Sequence, residues 1–135
     1  MPTYAYLGRL SVVVPVHNEQ DNIEPLIREI VAAIGGKAEF EMIYVNDGST
    51  DGTQAVLDRL KGEFPMLRAI RHQRACGQSQ AVTTGVRAAR YEWIATLDGD
   101  GQNDPADIPA LLAALAEPQQ PANLELLAGW RTKRN

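Results

Sequence analysis

Asp98-Gly-Asp-Gly-Gln102 sets two carboxylates one residue apart in a glycine-bearing loop, with an amide oxygen two residues further on. Both carboxylates can reach one hard divalent cation, or one can hold the cation while the other meets a substrate. Mg²⁺ and Mn²⁺ take oxygen ligands and usually share one or two carboxylates with substrate phosphates, so Asp98, Asp100 and Gln102 form a candidate metal and substrate loop. Asp-Gly pairs also make plain turns and helix caps. What raises this one above a turn is its place, directly after the buried-type strand Glu92 to Leu97.

Four more polar clusters stand in equivalent places, each after a short apolar run. They are Pro15-Val-His-Asn-Glu19, Asn46-Asp-Gly-Ser-Thr-Asp51, the loop His72 to Gln78, and Gly129-Trp-Arg131. Asp47 can be a turn residue feeding a helix cap, or a carboxylate that accepts the imide N–H of a uracil or guanine ring. Asn18 and Glu19 either cap the first helix or belong to a nucleotide pocket. His17 by itself reads as structural. Arg131 is either a solvated charge or a partner for pyrophosphate, whose oxygens suit a guanidinium. Cys76 carries no legible pairing with a histidine, and Trp93 reads as core.

The elements that must position these clusters follow from periodicity. Leu10 to Val16, Phe40 to Val45, Met66 to Ile70, Glu92 to Leu97 and Leu124 to Ala128 are short runs suited to strands buried on both faces. Between them lie helical patterns. Ile23, Leu26, Ile27, Ile30, Val31 and Ile34 form one helix face, with Pro25 in the first turn and Gly35-Gly36 as a stop. A second helix follows Ser49-Thr-Asp51, which offers N-cap residues. A third covers Gln78 to Arg90 and a fourth Asp107 to Ala116. Alternation of this kind predicts an α/β fold, a mostly parallel sheet with helices on both faces. In such a sheet, ligands bind beyond the carboxyl ends of the strands, where all five clusters fall.

Composition narrows the function further. The 135 residues fit one domain, with 44% hydrophobic and 22% charged residues. Thirteen Lys and Arg against 17 Asp and Glu give −4, which offers no global attraction to nucleic acid or an anionic membrane. The lone Cys76 excludes an internal disulfide and suits a reducing compartment. The N-terminus lacks the pattern of a secretory signal. The longest apolar run, Ala110 to Ala116, is far short of the ~20 residues of a membrane span. The chain stops at Trp130-Arg-Thr-Lys-Arg-Asn135, soon after a strand, so residues 1–135 are expected to be one domain truncated at its C-terminal side.

The five motifs together resemble glycosyltransferase family 2, the GT-A nucleotide-sugar enzymes, and within it the dolichol-phosphate mannosyltransferases and bacterial undecaprenyl-phosphate sugar transferases. Ser11 to Glu19 looks like that group's opening motif and Val45 to Asp51 like its second. Gly77-Gln78 with Ala81 and Gly85 matches the stretch leading into the third helix. Leu97 to Pro105 fits its Asp-x-Asp-x-Gln pattern, and Gly129-Trp-Arg131 its fifth-strand arginine. The resemblance implies a GT-A, Rossmann-like nucleotide-sugar-binding half.

It further implies that Pro15, His17, Glu19 and Asp47 line the base and ribose end. Asp98 and Gly99 would meet the nucleotide-sugar, Asp100 and Gln102 a Mg²⁺ or Mn²⁺ ion, and Arg131 the diphosphate. The implied reaction is inverting transfer of a sugar from a UDP- or GDP-linked donor to a polyprenyl or dolichyl phosphate. Asp98 and Asp100 would carry the catalytic roles, at the cytoplasmic face of a membrane contacted through the acceptor or through sequence outside this chain. The group commonly has Tyr at His17 and Ala and Leu at Gly99 and Gly101, so the glycines imply a looser metal loop.

Other readings fit less well. A dinucleotide-binding oxidoreductase would carry Gly-x-Gly-x-x-Gly after the first strand, where Pro15 to Glu19 stands. A receiver-type signalling module would carry an acidic phosphoacceptor after the third strand, where Arg71-His-Gln-Arg74 stands. A sugar-nucleotide-synthesising enzyme would carry a Gly-rich basic first loop. A relative that binds the donor without catalysis, and a transferase with a polysaccharide acceptor, stay open.

Overall fold

A computed structural model describes residues 8–91, 93–99 and 104–109. Its strands are β1 (Arg9–Val16), β2 (Glu39–Asp47), β3 (Leu67–His72) and β4 (Trp93–Thr96), and its helices α1 (Ile23–Ile34), α2 (Thr53–Lys61) and α3 (Gln78–Ala88). All strand pairs are parallel, in the order β3-β2-β1-β4. The chain therefore steps outward from β1 through β2 to β3, then crosses back to lay β4 on β1's other side. That reversal opens a crevice at the carboxyl ends of β1 and β4, the position where open α/β sheets bind ligands.

The apolar runs of β1 and β2 are buried on both faces, as their composition predicts, whereas β3 and β4, outermost among the described strands, are mostly half-buried. Alternate residues of β1 divide between two cores. Leu10, Val12, Val14 and Val16 pack with Ile23, Ile27, Ile30 and Ile34 of α1 and with Leu57 and Leu60 of α2. Val13 packs on the opposite face with Ile43, Val45 and Ala81 of α3. Helices thus cover both faces of the sheet. Trp93 is half-buried against the larger core. Among the described residues, no helix is long and apolar enough to cross a membrane.

Glycine sets the height of α3 above the sheet. A Cβ on Gly85 would lie 2.4 Å from Val13 Cγ1 and 3.2 Å from Val45 Cγ2. Those contacts are with β-branched side chains that have little room to rotate in a packed core.

Two strands run further toward the site than composition predicts. β2 continues through Asn46 and Asp47, and β3 through Arg71 and His72, because these residues pair with each other across the two strands. Asn and Asp have poor strand propensity, but neighbouring-strand pairing overrides it. Neither Asn18 nor Glu19 caps α1, which begins after Asn22 without a side-chain cap. At α2 the N-cap is Gly52, not one of Ser49, Thr50 or Asp51, and the Asp51 carboxylate accepts the Thr53 N–H from one position further out. The predicted strand Leu124 to Ala128 and most of the predicted helix Asp107 to Ala116 lie outside the described residues.

At the amino end of the sheet, β2 carries a buried carboxylate. Glu41 accepts from Ser11 Oγ at 2.6 Å, the Arg90 N–H at 2.7 Å and Arg68 Nη1 at 2.8 Å. The same Arg68 nitrogen reaches the Ala88 carbonyl, and Ser11 Oγ accepts the Tyr91 N–H. Glu41 thereby fastens the turn leaving α3. Burial works to raise its carboxyl, but the Ser11, Arg90 and Arg68 donors together hold it below the ordinary range.

Candidate active site

The crevice at the β1–β4 switch holds a cavity of about 160 Å³. Pro15, His17 and Glu19 line it from the end of β1, Asp47 from β2, Asp98 and Gly99 from the end of β4, and Gln78 and Ala81 from α3. Six residues singled out in the sequence thus surround one space. Asp100, Gln102 and Arg131 lie outside the described residues.

Asp47 is held from three directions. Its Oδ1 accepts from His72 Nδ1 at 2.8 Å and from the Cys76 N–H at 2.8 Å, and its Oδ2 accepts the Gly77 N–H at 2.9 Å. The loop from His72 to Gln78 can come this close because the residue after Asp47 is glycine. Gly48 has φ +66°, and a Cβ there would lie 2.2 Å from Ala75 N and 2.4 Å from the Arg74 carbonyl carbon. Burial works to raise the Asp47 carboxyl, while the His72 imidazole and the two backbone N–H groups outweigh it and hold the group below the usual range. Asp47 is therefore an ionised, fixed acceptor at the cavity wall.

The loop after β1 is stitched to the loop after β2. His17 Nδ1 donates to the Asp47 carbonyl at 2.7 Å. Asn18, at φ +55°, donates its N–H to Ser49 Oγ and accepts the Thr50 N–H at its side-chain oxygen. Asparagine tolerates this left-handed backbone better than most residues. Glu19 accepts from Asn22 Nδ2 at 2.7 Å. Across the cavity, Gln78 Nε2 donates to Asp98 Oδ1 at 3.0 Å. Gln78 enters the motif reading only with Gly77, without a role of its own, and His72 only as the first residue of a loop. Both stand at the same carboxyl edge as the motifs, and that was the available signal.

Gly99 is packed, not loose. It is buried, and a Cβ there would lie 2.6 Å from Val16 Cγ1 and 2.8 Å from the Pro15 carbonyl oxygen. The expectation of added flexibility at this position is replaced by one of close approach. The absent side chain lets the loop after β4 rest on the end of β1. Gly101 lies outside the described residues.

Three carboxylates, Glu19, Asp47 and Asp98, line the cavity, and no Lys or Arg does among the described residues. That set suits a hard cation or a hydrogen-bond donor, and would repel a bare diphosphate. Asp47, His72 and Cys76 also bring one donor atom each within 4.8 Å of the others. An imidazole and a thiol do not suit Mg²⁺ or Mn²⁺, and the Asp47 and His72 atoms are already bonded to each other. Among the described residues, the carboxylate oxygens that suit a hard cation at the cavity are those of Glu19, Asp47 and Asp98.

A parallel sheet with this switch point is the fold of the GT-A glycosyltransferases. The chain belongs to glycosyl transferase family 2, whose profile matches residues 11–122. It is 42% identical over 127 residues to a dodecaprenyl-phosphate galacturonate synthase of Rhizobium johnstonii, covering 93% of this chain and 36% of that protein. It is 35% identical over 119 residues to an undecaprenyl-phosphate 4-deoxy-4-formamido-L-arabinose transferase of Proteus mirabilis, covering 87% of this chain and 36% of that protein. Among solved structures it is similar to a mannosyltransferase from Pyrobaculum calidifontis in complex with GDP-Man and Mn²⁺. That likeness has a TM-score of 0.71 and 27% identity, over 81% of this chain and 32% of the other. The chain thus spans about a third of the length of the relatives it matches.

Proposed function

We propose that this chain is the donor-binding part of an inverting glycosyltransferase that moves a sugar from a nucleoside-diphosphate donor to a polyprenyl phosphate. The observation that carries the reading is the single cavity at the switch point, with the fixed acceptor Asp47 on one side and Asp98 on the other. Asp47 would take the N–H of the base, with Pro15, His17 and Glu19 around base and ribose. Asp98 and Gly99 would meet the sugar-diphosphate end, and Arg131 the diphosphate. Mg²⁺ or Mn²⁺ would be held by Asp100 and Gln102. Such a cation, when bound, supplies neutralisation of the leaving diphosphate. The acidic lining supports that assignment, because a diphosphate entering among three carboxylates needs a compensating charge.

The lone-pair count at Asp47 favours uracil. A carboxylate offers about four acceptor positions, and His72, Cys76 and Gly77 take three of them. Uracil presents one imide N–H, whereas guanine presents N1–H and N2–H₂ side by side. The names of the relatives, which specify dodecaprenyl and undecaprenyl phosphate, support this acceptor class. A phosphate acceptor is already anionic at neutral pH, so the chain's residues need only orient it and no strong protein base is required. Membrane contact, at the cytoplasmic face, would come through that lipid and through sequence outside these residues. The 135-residue chain is expected to bind donor and metal and to turn over poorly.

Calorimetric titration with UDP and GDP, each with Mn²⁺ and with EDTA, tests this reading. UDP binding that needs Mn²⁺ and is lost in Asp100→Ala is the expected result. Tighter binding of GDP overturns the base assignment. Binding of neither nucleotide overturns donor binding by this chain.

A further inference from the structure

The sequence motifs account for Asp47 but not for what stands behind it. His72 is Asp47's register partner on the adjacent strand, and its side chain is 15% exposed against 7% for Asp47. Its Nδ1 lies 2.8 Å from Asp47 Oδ1 and its Nε2 lies 2.9 Å from Thr84 Oγ1. An ionised carboxylate can only accept, so Nδ1 carries a proton. Nε2 then accepts from the Thr84 hydroxyl where the ring carries one proton, and donates to the Thr84 oxygen where it carries two. Thr84 belongs to α3, one residue before the glycine that seats that helix on the sheet. The result is one continuous chain of hydrogen bonds from α3 through β3 to the acceptor at the cavity.

Without the imidazole, Asp47 would be fixed only by the two N–H groups of the Cys76–Gly77 backbone, which belong to the irregular loop between β3 and α3. The imidazole adds a restraint anchored in regular elements. It also occupies an acceptor position on Oδ1, so that Oδ2 keeps the open one.

We propose that His72 and Thr84 are positioning residues for the donor nucleotide: Thr84 orients the imidazole, and the imidazole's Nδ1–H orients Asp47 toward the base. This assignment rests on the donor-binding reading above. It adds a requirement outside the cavity lining, since neither His72 nor Thr84 lines the cavity.

The test measures UDP and GDP affinity in the presence of Mn²⁺ for the whole chain and its variants, alongside thermal unfolding. His72→Leu should weaken binding of the preferred nucleotide by about tenfold to a hundredfold, the usual range for losing a hydrogen bond to a charged group. His72→Asn, which keeps an N–H near the Nδ1 position, should recover part of that affinity. Thr84→Val should weaken binding severalfold while Thr84→Ser binds like the wild type. Should His72→Leu fail to fold, the Thr84 pair decides. In ¹⁵N NMR of the nucleotide-free chain, His72 should appear as the Nδ1–H tautomer in the wild type.

Wild-type affinity in both His72→Leu and Thr84→Val, with Asp47→Asn impaired, overturns the assignment and leaves donor binding standing. An Nε2–H tautomer for His72 in the neutral ring overturns it as well. Failure of the wild-type chain to bind either nucleotide overturns donor binding, and the assignment falls with it.

Discussion

β2 carries a buried carboxylate near each end, six residues apart by number, and the two are used in opposite ways. Glu41 and Asp47 both face α3, together with Ile43 and Val45 between them. Each accepts three short hydrogen bonds, and each is held ionised against burial. Glu41's donors come from β1, β3 and the turn leaving α3, and nothing but protein surrounds it. Asp47's donors come from β3 and the loop entering α3, and its remaining side faces a cavity. The same chemistry at the closed end stitches elements together; at the open end it prepares an acceptor. A perturbed carboxylate therefore marks a site only where an unfilled space adjoins it.

The largest effect should come from separating these two roles by mutation. Glu41→Ala leaves the Arg68 guanidinium and the Arg90 N–H without their buried acceptor, and should destabilise the fold by about 3 kcal/mol, read by urea unfolding. Nucleotide affinity of the folded fraction should stay at the wild-type value. Asp47→Asn should do the reverse, weakening nucleotide binding by about 2 kcal/mol with a smaller loss of stability. Equal effects of both variants on affinity would erase the distinction between the two ends.

A smaller effect tests how tightly the open end is built. Gly99→Ala places a methyl against Val16 and the Pro15 carbonyl, and should cost about 1–2 kcal/mol through overpacking. The nucleotide titration should show it more clearly than thermal unfolding does, because the loop after β4 would lift from β1. An unchanged affinity would mean that the loop shifts freely.

The smallest effect is a pH dependence. Glu41's carboxyl is lowered in the fold from an ordinary 4.5. The unfolded chain thus binds its proton first as pH falls. Its stabilising contribution is complete above 4.5 and disappears as pH drops through the lower folded value. Glu41→Gln should flatten stability against pH in that acidic window and leave the curve near neutrality parallel to the wild type. A wild-type slope persisting in the variant would assign the acid sensitivity to other carboxylates.

Much of this architecture was legible because burial on both faces leaves a simple trace. β1, β2 and α1 declare themselves through Val12, Val13, Val14, Ile43 and the Ile23–Ile34 stripe. The carboxyl ends of β2 and β3 did not, since Asn46, Asp47, Arg71 and His72 look like turn residues until each strand supplies the other's partners. The cavity's lining was readable for the same reason that its supports were not. Pro15, His17, Glu19, Asp47, Asp98 and Gly99 sit in motifs next to strands. His72 and Thr84 matter only through contacts that span β3 and α3. Gly99 was misread because a glycine in a polar loop looks permissive, whereas its neighbours leave no volume for a side chain.

The missing side chain at Gly85 has a reach beyond its own contacts. The helix it seats carries Thr84 at one point and Gln78 at another, and through them it grips both Asp47 and Asp98. The separation of the two acidic walls is thus gauged by the thickness of the layer between α3 and the sheet. A single added methyl beneath the helix would act like a shim under a caliper jaw, altering the gap at the far end without entering it. Changes on the underside of α3 should consequently register as altered ligand fit, even where every residue of the cavity wall is intact.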